Sequence, residues 1–377
     1  MADRQAAQIP DLRSLLSSRG RGGLRARGRA RRGSPERFQH ENTPQVKDTI
    51  VQRTDHDAAA SRMSAVELGY LEDPYARLFA TAPTPRRFPI MNRGTYIRTS
   101  AIDKLVNKFL DSNPDVQKQI ISLGAGTDTR YFRILSKSPR SSLLYHELDF
   151  AHNTGHKIAT IQRTPGLLSQ IKAALSSPDE LEISEDATVL TSPTYNIHAI
   201  DLRNIAADPP PSLPNISSSA PTLLISECCL IYLTPEAASR VLTTLTQRLI
   251  PEPTPVAIVL YEPIKPNDSF GRTMVSNLAT RGIVLETLQQ YPSLAAQRDR
   301  FRDAGFVDGQ GAAGTDFIYD AWVSSKEKER VAALEMMDEL EEWLLLAKHY
   351  CVAWGWRNGG DFRFQDAWTT LKGQTNE

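Results

Sequence analysis

Residues 119–130, QIISLGAGTDTR, constrain this chain more than any other stretch. Ile120, Ile121 and Leu123 form a short apolar run rich in β-branched residues, and Gly124 and Gly126 follow at once. A strand feeding a glycine turn, and then a polar segment able to open a helix, is the local pattern of a nucleotide-type cofactor site. The glycines remove Cβ where the backbone must turn tightly and a ligand must come close.

Residues 143–150, LLYHELDF, supply a second apolar run ending near Asp149. An acid at the end of the second strand is placed to accept hydrogen bonds from ribose hydroxyls. A dinucleotide fingerprint would want a third glycine near position 129, where Thr129 stands, and no phosphate-binding lysine follows. The pocket therefore suits a nucleoside without a pyrophosphate. S-adenosylmethionine meets that description better than NAD.

The chain has 377 residues, enough for one large core. Lys plus Arg and Asp plus Glu balance at 44 each, so the net charge calls for no polyanionic partner. Positive charge is concentrated near the start, where seven arginines between Arg19 and Arg32 sit among Gly, Ser and Ala. Residues 1–50 thus read as a disordered Arg/Gly-rich tail, because so few apolar groups cannot offset the ordering entropy. A nucleic-acid, localisation or docking arm is the functional alternative to a solvated appendage. Cys228, Cys229 and Cys351 form neither a disulfide framework nor a metal motif, which suits a reducing cytoplasm or nucleus. No apolar run reaches the ~18 residues of a membrane span.

The remainder, residues 51–377, reads as one catalytic domain. Residues 58–71 and 102–109 carry apolar positions at helical spacing and precede the first core strand, so 58–112 is expected to cover the pocket as a lid. Arg62, Arg93 and Arg98 are the cations available there, and arginine binds carboxylates bidentately. His152 and His156 have the i, i+4 spacing of metal ligands, but no third ligand is evident and no metal is expected.

Residues 195–202, YNIHAIDL, predict a third strand closing on Asp201, either a pocket residue or a helix cap. Glu227 interrupts the apolar run TLLISECCLIYL. A carboxylate there is costly unless paired, so it is expected to face the pocket at the strand's carboxyl end, with Tyr232 just beyond. VAIVLYEPI predicts a fifth strand, about 265–325 a substrate-side insertion, 326–350 one long amphipathic helix, and CVAWGW a final strand. Strands alternating with helices give an open, mostly parallel α/β sheet with its ligand at the strands' carboxyl ends.

Together these segments resemble the leucine carboxyl methyltransferase family from about Arg62 to Trp356. The blocks that carry the resemblance are AVELGYLEDPY, MNRGTYIR, ISLGAGTDTR, HELDF, AIDL, PTLLISECCLIYLTPE, YEPIKPNDSFG and the LEMMDELEEW…HYCVAW end. The resemblance implies a class I S-adenosylmethionine-dependent methyltransferase, a Rossmann-like fold. It implies methyl ester formation on the C-terminal leucine carboxylate of the type 2A protein phosphatase catalytic subunit. It carries cofactor contacts to Arg98, Gly124, Asp149, Asp201, Leu202 and Glu227. Arg62 stands where the family usually has lysine, which keeps the charge and changes the geometry.

An in-line displacement onto a carboxylate needs no general base, since the acceptor is already ionised at neutral pH. No catalytic acid or base is therefore expected, and Arg98 and Tyr232 are the candidates for positioning. The rivals are the same fold acting on tRNA or a small molecule, a non-catalytic phosphatase-binding protein, and an NAD-dependent oxidoreductase. No ~50-residue repeats of the kind a kelch-bearing tRNA relative carries are present.

Overall fold

The structure is a computed structural model, and it describes residues 44–80, 84–137, 143–209, 211–338 and 340–375. Helices α1 (Pro44–Glu67), α2 (Ala76–Phe79) and α3 (Pro89–Asp111) precede β1 (Lys118–Leu123). Next come α4 (Arg130–Lys137), β2 (Leu143–Asp149), α5 (Ala151–Arg163), α6 (Pro165–Ala173), and the two-residue strands β3 (Glu182–Ile183) and β4 (Leu190–Thr191). They are followed by β5 (Tyr195–Ala199), β6 (Thr222–Glu227), α7 (Pro235–Thr244), β7 (Val256–Pro263), α8 (Ser269–Ala279), α9 (Leu294–Asp303) and β8 (Gly309–Gly314). The chain closes with α10 (Thr315–Trp322), α11 (Ser325–Ala332), α12 (Leu340–Lys348), β9 (Tyr350–Arg357) and α13 (Phe364–Trp368).

The strands form one sheet in the order β3-β4-β5-β2-β1-β6-β7-β9-β8. The run β5-β2-β1-β6-β7 is parallel, and the strands outside it are antiparallel. From β1 the chain goes to β2 and β5 on one side, then returns to β6 on the other. That reversal leaves a crevice beyond the carboxyl ends of β1 and β6, where open α/β sheets bind ligands.

Strand alternation builds three layers. Ile120, Leu223, Ile225, Ala257 and Val259 point to one face, where Ile102, Leu105, Val106 and Phe109 of α3 meet them. Ile121, Leu123, Leu224, Ile258 and Leu260 point to the other, against α7 and Phe301 of α9. The apolar stripe expected on residues 102–109 is this buried face of α3.

Several expectations change. The first helix begins at Pro44 rather than near Val51, so residues 44–50 belong to α1; residues 1–43 lie outside the described residues. The third strand stops at Ala199, because Asp201 caps a short 3-10 turn over Leu202–Asn204. Residues 326–350 form two helices, α11 and α12, where one was expected. The break falls beside Glu335, whose buried carboxylate is held by Arg86 and Asn92 at 2.6 and 2.8 Å. Residues 265–325 are not a single insertion. Leu278, Arg281, Ile283 and Thr315 line the crevice, but 309–314 is the edge strand β8 of the main sheet.

Candidate functional site

A cavity of about 390 Å³ lies beyond the carboxyl ends of β1, β2 and β6. Arg62, Arg98, Gly124, Asp149, Asp201, Leu202, Glu227 and Tyr232 all line it. Six separate segments thus deliver the residues singled out from sequence to one crevice. Arg93 is not brought there; its guanidinium lies over the rings of Tyr319 and Trp343 at 5.7 and 5.2 Å. His152 and His156 meet edge to face with ring centroids 4.6 Å apart, and no cluster of three metal-ligating side chains exists among the described residues.

The glycine turn is built for close approach. Gly124 and Gly126 have φ of 62° and 47°. A Cβ on Gly124 would stand 2.6 Å from the Cys229 sulfur, and one on Gly126 would stand 2.2 Å from Asp55 Oδ1. Gly126 N–H donates to Asp149 Oδ2 at 2.7 Å, while Asp149 Oδ1 accepts from Phe150 N–H and Asn153 Nδ2 at 2.7 and 3.0 Å. Burial pushes the Asp149 carboxyl up to about 6, against the pull of these donors. Asp55 is a site residue that the sequence did not single out. From α1, its Oδ1 accepts the backbone N–H and the hydroxyl of Thr127, both at 2.8 Å.

At the end of β6, Glu227 bridges two guanidinium groups. Its Oε2 accepts from Arg98 Nε and its Oε1 from Arg130 Nη2, each at 2.8 Å. Burial raises the Glu227 carboxyl, and Arg130 and then Arg98 pull it below its ordinary value. The Arg98 guanidinium also lies over the Tyr261 ring, 5.0 Å from its centroid. Among the described residues its two terminal nitrogens make no hydrogen bond, so they are available to a ligand's carboxylate.

Arg62 lines the cavity while holding Asp73 at 3.1 Å. Asp201 serves both of the roles weighed for it: it borders the cavity and caps the 3-10 turn through Arg203 N–H at 2.9 Å. Leu202 gives an apolar wall and is buried. Tyr232 also lines the cavity; burial pushes its phenol well above the ordinary value, so it stays protonated. Burial pushes the Cys228 thiol up to about 12 and holds Cys229 well above the ordinary thiol range, so neither is a thiolate nucleophile at neutral pH.

This donor set fits S-adenosylmethionine. It offers acids at two strand ends for hydroxyls, apolar flanks for a purine, and an arginine with unused donors for an amino-acid carboxylate. Met91, Tyr261, Trp343, Leu346 and Tyr350 extend the cavity as a largely apolar chamber on the Arg98 side.

Comparison with known proteins agrees. Residues 39–246 match the leucine carboxyl methyltransferase family. The chain is 49% identical to leucine carboxyl methyltransferase 1 of Aspergillus fumigatus, over 99% of this chain and 100% of that protein. It is 52% identical to the protein of the same name from Emericella nidulans, over 99% of each. A homolog from Arabidopsis thaliana is 38% identical over 83% of this chain and 92% of its own length. With the crevice at the sheet's carboxyl edge, these matches show that the chain belongs to the leucine carboxyl methyltransferase family and is a methyltransferase using S-adenosylmethionine.

Proposed function

We propose that this enzyme methylates the α-carboxylate of the C-terminal leucine of the type 2A protein phosphatase catalytic subunit, forming a methyl ester in the cytoplasm or nucleus. The observation that carries the reading is a cavity in which, among the described residues, an arginine keeps its terminal nitrogens free to orient a carboxylate. Its thiols and its phenols at Tyr232 and Tyr261 are held protonated by burial, and the Asp149 carboxylate is engaged by three donors. A carboxylate is the acceptor that such a site can methylate, because it is ionised at neutral pH and needs no base.

The bound cofactor supplies an electrophilic methyl group on a sulfonium. The chain's own contribution is to align, orient and exclude water. Asp149, Asp201, Leu202 and Glu227 hold the adenosine part. Arg98, Arg62 and Tyr232 orient the carboxylate-bearing ends. Trp343, Leu346 and Tyr350 give a chamber apolar enough for a leucine side chain. Alignment alone lowers the barrier by about 7–11 kcal/mol in well-oriented systems.

The reading is tested by incubating the enzyme and labelled S-adenosylmethionine with the phosphatase subunit, intact and without its terminal leucine. Base-labile label on the intact subunit alone is the expected result. Label on neither, with cofactor binding retained, would redirect the reading to another acceptor or to a scaffold.

A further inference from the structure

Arg130 is 2% exposed and makes no contact with the cavity, yet its three nitrogens engage three different carboxylates. Nε donates to Asp103 at 2.9 Å, Nη2 to Glu227 at 2.8 Å, and Nη1 pairs with Asp128. These acids come from α3, from the end of β6 and from the glycine turn. Only a planar guanidinium can serve three such directions; a lysine ammonium has neither the reach nor the fork. Arg133 on Asp103 and Asp73, and Arg62 on Asp73 and Asp128, continue the alternation and return it to the cavity wall at Arg62 and Asp128.

Glu227 stands at the cavity end of this chain of charges. If Arg98 alone held it, the carboxylate would follow Arg98 whenever a ligand took the free Arg98 nitrogens. Arg130 prevents this, because it is itself anchored at the first residue of α4 by two further acids. We infer that Arg130 is a positioning residue for the cofactor: it fixes Glu227 from behind, so that Glu227 and Arg98 present a constant geometry to the ligand.

The groups facing Glu227 are Arg98 from α3, Arg130 from α4, Asp128 from the glycine turn and the neighbouring Cys228 thiol; Tyr261 of β7 lies under Arg98. Of these, Arg130 does most to keep Glu227 ionised. Without it, the acid is left facing Asp128 with one cation in place of two.

The inference rests on Arg98 and Glu227 being cofactor ligands, and the test separates the two. Affinity for S-adenosylhomocysteine is measured by calorimetry, and methyl-transfer kinetics are followed, for the full chain and for R130K, R130Q, E227Q and R130K/E227Q, between about pH 6 and about pH 8. R130K is expected to weaken binding about tenfold while kcat at saturating cofactor stays within about twofold, and to add nothing in the E227Q background, since coupled residues are non-additive. R130Q is expected to begin losing affinity at a higher pH than the parent, whose own fall near pH 6 belongs to Asp149, because Glu227 then protonates as well. Additive effects of R130K and E227Q, or a loss in kcat with affinity unchanged, would overturn the positioning role. If R130Q does not fold, the R130K and E227Q cycle decides alone. If E227Q binds like the parent, the assignment of the cofactor ligands fails, and the inference with it.

Discussion

Asp149 shows how much one side chain does in this site. Its carboxylate fixes the Gly126 and Phe150 backbone donors and the Asn153 side chain on α5, all while lining the cavity. Its folded value is raised to about 6, so it is the ionised acceptor above that pH and loses acceptor capacity as pH falls through it. Cofactor affinity of the parent is therefore expected to fall below about pH 6. Asp149→Asn removes that dependence and weakens binding about tenfold at neutral pH, since a charged acceptor is worth about 1.5–3 kcal/mol. Calorimetry across pH checks both. The acid and the two glycines were legible in the sequence because a tight turn and an acid at a strand end are local features. Arg130 stands in the same stretch, but its partners Asp103 and Glu227 are 27 and 97 residues away, so its role depends on the folded arrangement. Asp55 was hidden for the same reason: its partner Thr127 is 72 residues distant.

At the scale of elements, α1 spans the crevice and is tied down on both sides. Asp48 pairs with Arg203 beyond β5 at 2.6 Å, Asp57 pairs with Arg281 beyond α8, and Asp55 holds the glycine turn between them. The apolar pattern on 58–71 predicted only its second half; the first half is polar and is held by these contacts rather than by a buried stripe. Asp55→Ala leaves the Thr127 N–H without that acceptor and is expected to loosen α1 by about 1 kcal/mol. Faster amide exchange in residues 48–60 and faster cofactor dissociation are the readouts; unchanged exchange there would mean that the contact does not hold the helix.

Strand β8, GQGAAG, was unreadable because it has no β-branched or aromatic residue. Its glycines exist for its neighbours. A Cβ on Gly311 would lie 2.3 Å from the Trp354 ring, and one on Gly309 would lie 2.0 Å from the Trp356 ring. Gly311→Val should cost about 1–3 kcal/mol by overpacking, measured as a lower denaturation midpoint with unchanged slope.

For the whole molecule, the fold was largely legible: alternating strands and helices gave the parallel centre, and the strand ends gave the site. The antiparallel edges β3 and β4, only two residues each, carried no signal. Four arginines (Arg62, Arg98, Arg130, Arg133) face four acids (Asp73, Asp103, Asp128, Glu227) in and behind one wall of the cavity, so that wall is neutral as a set. Breaking one member leaves an uncompensated buried charge, which costs about 3–5 kcal/mol in comparable networks. Arg133→Leu is thus expected to lower the melting temperature more than Arg203→Leu, whose pairs with Asp48 and Asp201 are more exposed.

The proposed reaction is the esterification of a C-terminal leucine. It is tested most directly by the mass of the C-terminal peptide of the type 2A phosphatase catalytic subunit after incubation with enzyme and S-adenosylmethionine. The expected result is a gain of one methyl group on the terminal leucine, removed by mild alkali and abolished when that leucine is deleted. An unmodified C-terminal peptide under conditions where the cofactor binds, or an alkali-stable methyl elsewhere in the subunit, would contradict it.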